Sequence, residues 1–240
     1  MRNYLAIGGC PRSGTTALTD FLNMDDRIFI GREFKIFDHW DKPITLGGII
    51  DERFKKSRDK LLKVKRYGIN PPQIGQTGKS YMDYVESVRE FDIYGDKMPR
   101  SYIYHAADMA KQFPSMKFIF CLRDGRDVVA SMLRLWNKGV RKGFTFGNPI
   151  EAQRFWVRQV KHMEGALFGF RKRTFLAKYE EMVMDPEGSS EKLGRFLGLG
   201  KINISNHNYH PVHMGAWKDE LPDMPMCEEF KTMLNKWGYK

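Results

Sequence analysis

At 240 residues with 42% hydrophobic and 13% aromatic content, the chain has enough apolar side chains for a full core, which excludes a disordered polypeptide and favours one unit over residues 1–240. Forty Lys plus Arg against 29 Asp plus Glu leave a formal charge of +11, a field that favours anionic ligands without choosing among nucleotides, acidic glycans, nucleic acid and anionic lipid. Cys10, Cys121 and Cys227 are odd in number, widely spaced and without a C-x-x-C pair, so neither a disulfide framework nor a cysteine zinc site is indicated, and a reducing compartment fits.

The chain enters a strand-like run at once, "YLAIGG", and a helix is expected at Thr15 to Asn23. Further short apolar runs bounded by turn signals follow at "RIFIG", "FDIYGD", "KFIFCLR" and "TFLAKYE". Helical patterns lie between several of them, at Tyr81 to Glu90, Arg100 to Gln112, Gly125 to Asn137 and, after Pro149, Ile150 to Phe168. That rhythm predicts an α/β fold of three layers around a mainly parallel sheet, with ligands at the carboxyl ends of the strands. Two segments depart from it. Asp51 to Gly68 is a basic insert whose stripe of Ile50, Phe54 and Leu61 suits a surface helix, and Asn206 to Met226 is rich in His and Pro. No stretch is apolar for the length that a membrane span requires, and with an initial Met and no anchor the expected location is cytoplasmic.

The first run leads into "AIGGCPRSGTTALTDFL". Gly9, Gly14, Thr15 and Thr16 follow the phosphate-loop spacing G-x-x-x-x-G-K-[ST], with threonine in the lysine place. Gly8, Gly9 and Gly14 permit tight turns, and the helix from Thr15 directs amide groups and its positive dipole end at the loop. An anion pocket follows, and Arg12 can supply the missing charge as a planar fork suited to phosphate or sulfate. A second landmark, "FIFCLRDGRDVVASMLRLW", sets Arg123 at the end of a buried strand and Ser131 eight residues on, in the next helix. Read alone, "RDGRD" also fits charge pairing at a helix start, with Asp124 near the cap and Asp127 in the first turn. Read with the first loop, it offers a second phosphate site and a two-ended ligand.

"GCPRSGTT" together with "CLRDGRDVVAS" resembles the two nucleotide motifs of sulfotransferases that use 3′-phosphoadenosine 5′-phosphosulfate, PAPS. The resemblance implies a P-loop NTPase-like fold in which Pro11, Arg12, Ser13, Gly14, Thr15 and Thr16 hold the 5′-phosphosulfate, while Arg123 and Ser131 hold the 3′-phosphate. It also accounts for the absent lysine, because no γ-phosphate is transferred and no metal is expected. "RIFIGREFKIFD" looks like the strand and loop that carries a catalytic glutamate in glycan-type members, which falls on Glu33; "YGDKMPRSYIYH" is similar to their Lys-x-Pro segment and puts Lys97 beside the donor sulfate. "LAKYEEMVMDPEGSSEKLGRFLGL" is similar to the family's Tyr-Glu strand exit and following helix. "MGAWKDEL" resembles a late Gly-x-Trp loop over the nucleotide, with Trp217 in that loop and Lys218 replacing basic residues that many members place just before the Trp. Asp124-Gly125 stands where Asn-Pro is frequent, and Ala17 where a Trp can stack on adenine.

The implied chemistry is in-line attack by an acceptor on sulfur with adenosine 3′,5′-bisphosphate leaving, Glu33 as base and Arg12 and Lys97 as the cations. Glu33 also suits a surface pair with Arg32 or Lys35. The expected acceptor is a hydroxyl, on an acidic saccharide that Lys55, Lys56 and Lys63 would attract or on a neutral one, with lipids and small alcohols left open; neither nucleic acid nor membrane is an expected partner. A kinase would use Thr16 on magnesium but lacks the phosphate-gripping lysine, and a nucleic-acid binder would use the charge but shows no recognisable module. His207, His210 and His213 lie three apart in a Pro-containing loop without cysteine or acidic partners, so no metal site is expected. Trp136, Trp156 and Trp217 are read as packing residues.

Overall fold

A computed structural model gives the structure of the chain, describing residues 2–44, 67–204 and 214–240. Residues 45–66, with Ile50, Phe54, Leu61 and the lysines of the basic insert, and the three histidines His207, His210 and His213 lie outside the described residues.

The five apolar runs form five strands, β1 (Asn3–Gly9), β2 (Ile28–Arg32), β3 (Ile93–Lys97), β4 (Lys117–Leu122) and β5 (Thr174–Lys178). All pair in parallel, in the order β2-β3-β1-β4-β5. Because both faces of a parallel sheet are covered, alternate residues of one strand enter different cores. Ala6, Phe118 and Phe120 join one apolar cluster, and Leu5, Ile7, Ile119 and Cys121 join the other.

The first cluster packs under α2 (Gly78–Val88), the short α3 (Ser101–Tyr104), α4 (Ala106–Gln112), α5 (Gly125–Asn137), α6 (Pro149–Gly169) and, near the end of the chain, α10 (Glu228–Lys236). The second packs under α1 (Thr15–Leu22), α7 (Tyr179–Met184) and α8 (Pro186–Leu197). Three layers result, as the rhythm predicts, and each fully buried Leu or Phe in them contributes about 1.5–3 kcal/mol. Trp156 is a core residue with no exposure.

Helix ends follow local chemistry. In α6, Pro149 stands in the first turn and the Asn148 side chain accepts from Ile150 N at 2.8 Å. In α8, Asp185 caps a start at Pro186, and Gly198 ends the helix in the left-handed conformation. The single helix expected over Arg100 to Gln112 is two helices, because the backbone leaves helical geometry at His105.

The chain runs from β1 to β2 on one side and later crosses from β3 to β4 on the other. The reversal opens a crevice at the carboxyl end of β1, where loops from neighbouring strands meet.

Candidate active site

The floor of the crevice is the loop between β1 and α1. Gly9 has φ 150, and a Cβ there would lie 2.6 Å from the Cys121 carbonyl oxygen of the adjacent strand, so glycine is required for the close approach. Gly14, with φ 90, is the cap of α1; its Cβ would lie 2.3 Å from the Tyr179 ring. Between them Ser13 N donates to Cys10 O at 3.1 Å, and Cys121 Sγ donates to Ser13 O at 2.8 Å. The loop is thereby fixed from below, and the first-turn amides of α1, which helix geometry leaves without intrahelical partners, face the crevice. Ser13 Oγ is fully buried and has no hydrogen-bond partner among the described residues.

At one end of this loop stand arginines. Arg123 follows β4 directly and is 7% exposed; its guanidinium lies 4.8 Å above the Tyr179 ring and pairs with Asp127 at 3.4 Å. Arg123 Nη1 also donates to Arg12 O at 3.4 Å. Arg12 Nε donates in turn to Ser131 Oγ at 2.9 Å. Desolvation in the crevice first, then the charges of Arg123 and Arg134, lower the Arg12 pKa. Arg12, whose backbone has φ 75, thus meets the second motif at Ser131.

At the other end, Lys97 Nζ donates to Glu33 Oε1 at 2.6 Å and to Thr16 Oγ1 at 3.4 Å. The lysine side chain is 3% exposed and the glutamate 53%, so a buried cation carries an accessible carboxylate at the rim. Glu33 N donates to Lys97 O at 2.8 Å, which continues the β2–β3 ladder beyond the strand. Arg32, the alternative partner of Glu33, pairs instead with Asp20.

The turn that carries Glu33 is unusual. Glu33 and Lys35, neither of them glycine, have φ 63 and 57, which costs about 1–2 kcal/mol each. Such a turn persists where its surroundings over-determine it. Phe34 and Ile36 are fully buried beneath it, and the Asp96 carboxylate accepts from Phe34 N and Ile36 N, both at 3.2 Å.

The late segment reaches the same place. Asp127 accepts from Gly215 N at 2.9 Å and Trp217 N at 3.2 Å, which seats α9 (Trp217–Glu220) on the first turn of α5. Trp217 lies 4.4 Å beneath the Arg126 guanidinium, while Lys218 is exposed. Trp136 also packs under an arginine, Arg141, at 3.7 Å. Cations, hydroxyls and helix amides thus line one crevice, a donor set that fits a polyanion with charge at both ends. Among the described residues no cluster of metal-ligating side chains occurs, and no helix is long and apolar enough to cross a membrane.

Residues 5–202 match the Sulfotransferase family. The chain belongs to that family. Among its relatives, protein-tyrosine sulfotransferase A of Caenorhabditis elegans is 24% identical over 269 aligned residues, which cover 98% of this chain and 67% of the relative. Protein-tyrosine sulfotransferase 2 of Gallus gallus is 24% identical, with 84% of this chain and 53% of the relative covered. The chain thus spans between half and two thirds of the length of these relatives. In structure it is similar to the sulfotransferase domain from the curacin biosynthetic pathway, with TM-score 0.66 and 16% identity over 100% of this chain and 99% of that one.

In this sulfotransferase-family chain the sequence reading missed Asp96 and Tyr102. A signal was available: a carboxylate inside the buried run "FDIYGDK" must find donors, because a charge in a sheet core is held only when hydrogen-bonded. It also named Asp127 only as a first-turn acid, whereas its carboxylate accepts from the late loop as well.

Proposed function

We propose that the chain transfers a sulfuryl group from PAPS to an acceptor hydroxyl. The observation that supports this reading best is the division of one phosphate loop, with Arg12, Arg123 and Ser131 at one end and Thr16, Lys97 and Glu33 at the other. The first group is assigned to the 3′-phosphate end and the second to the reacting end, which puts Arg12 with the 3′-phosphate and leaves Lys97 as the cation at sulfur.

PAPS supplies an electrophilic sulfur whose bond to the bridging phosphate oxygen breaks as the acceptor oxygen attacks. Glu33, accessible at the rim, takes the acceptor proton as that attack proceeds. Lys97 has three protons, so its ammonium can keep Glu33 oriented while another N–H faces the charge that develops on the leaving oxygen. Thr16 and the amides of α1 hold the neighbouring oxygens, and Trp217, seated by Asp127, is assigned to a cover over the nucleotide.

The relatives named above are tyrosine sulfotransferases, which supports the phenolic hydroxyl of a peptide tyrosine as the acceptor. They lend no support to the saccharide expected from the basic insert. The test is transfer of labelled sulfate from PAPS to a panel of tyrosine peptides, saccharides and small alcohols. Label on tyrosine peptides is the expected result; label confined to saccharides would overturn the acceptor. In the same assay Glu33→Gln should lower kcat by about 10²–10⁴-fold, with affinity for adenosine 3′,5′-bisphosphate within about threefold. Normal turnover in that variant would remove Glu33 from the role of base.

A further inference from the structure

The backbone of the Glu33 turn is bound to β3 both through the strand ladder and outside it. The first is the hydrogen bond from Glu33 N to Lys97 O. The second is the Asp96 carboxylate, whose Oδ1 accepts from Phe34 N and whose Oδ2 accepts from Ile36 N and, at 2.6 Å, from Tyr102 Oη. The Tyr102 hydroxyl accepts from Phe37 N at 3.3 Å, so donors from three residues of one turn converge on a single buried pair. Asp96 and Tyr102 have no exposure. Successive strand residues point to opposite faces, so Asp96 anchors the turn while Lys97 faces the phosphate loop. Gly31 leaves room for this arrangement: a Cβ there would lie 2.6 Å from the Phe34 ring and 2.9 Å from Asp96 Oδ1.

We propose that Asp96, completed by Tyr102, is a positioning residue that sets the Glu33 carboxylate against Lys97 by holding the turn of residues 33–36, in which Glu33 and Lys35 are left-handed. The proposal rests on the reading of Glu33 as base and assigns that base its support. Asparagine at position 96 keeps one acceptor oxygen but offers an N–H₂ group where Ile36 N and Tyr102 Oη both need an acceptor, so one side of the clamp opens. Phenylalanine at position 102 removes the third donor to Asp96 and the acceptor for Phe37 N, and leaves the carboxylate in place. The buried side chains of Phe34 and Ile36 keep the segment attached in both variants, so the loss falls on the aim of Glu33 rather than on the fold.

The test compares Asp96→Asn, Tyr102→Phe, Glu33→Gln and the double variant Asp96→Asn/Glu33→Gln in the full chain. Three quantities are read: sulfuryl transfer to the acceptor that the panel identifies, titration with adenosine 3′,5′-bisphosphate, and hydrogen exchange at the amides of Phe34 and Ile36. Asp96→Asn and Tyr102→Phe should each lower kcat at least about tenfold, leave the bisphosphate Kd within about threefold, and speed exchange at those amides. In the Glu33→Gln background, Asp96→Asn should add less than about a twofold loss, because it acts through a carboxylate already removed. Full turnover in both single variants while Glu33→Gln is slow overturns the positioning role alone, as does a full multiplicative loss in the double variant. Normal turnover of Glu33→Gln overturns the base reading and the positioning role with it, whatever the exchange shows. If Asp96→Asn does not fold, Tyr102→Phe and its double variant with Glu33→Gln carry the same comparison.

Discussion

Arg123 and Glu33 differ in how much of their setting a linear sequence can show. Arg123 is recognisable because its neighbours are local: a buried strand precedes it, a helix follows, and Ser131 stands at a fixed distance along the chain. What the sequence does not show is the Tyr179 ring below it, contributed by the first residue of α7. If Arg123 serves a 3′-phosphate, Arg123→Ala should weaken adenosine 3′,5′-bisphosphate by about 1.5–3 kcal/mol, roughly ten- to a hundredfold, by calorimetric titration. ADP, which lacks that phosphate, should lose less than about threefold; equal losses for the two would contradict the assignment. Glu33 is less legible. Its neighbours Arg32 and Lys35 are the partners that a sequence suggests, yet the pairing in the structure is to Lys97, 64 positions away, brought there by the β2–β3 register. Asp96 is less legible still, because its value lies in three donors from two other segments.

Among the elements, strands are read well because each is a short apolar run closed by Gly, Asp or charged residues, and α5 is read to its last residue. Of the helices that pattern alone does not give, α8 follows from the resemblance, and α7, α9 and α10 are short. In α10 the apolar stripe is Phe230, Met233 and Leu234, less than two turns, and a period cannot establish itself over that length. The break at His105 is illegible for another reason, since helical propensity continues through it and the change shows only in the backbone, at φ -100 and ψ 9. The turn after α1 shows tertiary structure adding what propensity omits. Asp25, 2% exposed, accepts from Arg27 Nε at 2.9 Å, Arg27 Nη2 at 2.7 Å and Asn203 N at 2.8 Å, joining α1 to the segment after α8. Burial pushes its pKa up, but hydrogen bonds from Arg27 and then Asn203 outweigh burial and leave it lowered. A lowered folded-state pKa gives stability that is present above the unfolded value, near 4, and is lost as pH falls through the folded value. Asp25→Asn should therefore cost about 1–3 kcal/mol at pH 7, less than a fully buried pair because Arg27 is 41% exposed, and visibly less near pH 3. Denaturant unfolding at the two pH values checks this; an equal loss at both would show that the charge is not the source.

For the whole molecule, the charge of +11 is a general attraction for anions, and the crevice is where that attraction acquires geometry. Five parallel strands bring the ends of β1, β3, β4 and β5 to one edge of the sheet, so residues as far apart as Arg12 and Ser131 touch. The architecture could be read from the alternation of apolar runs and helices, and the two phosphate motifs from their spacing. The acceptor could not, because the residues that would contact it are set by loops whose pairing no local pattern encodes. Under the proposed function this crevice is built for a nucleotide with phosphate at both its 3′ and 5′ ends. Its most direct test is calorimetric titration with adenosine 3′,5′-bisphosphate, beside ADP and beside ATP with magnesium, at near-physiological salt. Tight binding of the bisphosphate that does not depend on magnesium, with ADP at least about tenfold weaker, is the expected result; preference for ATP with magnesium would rule out a bisphosphate site.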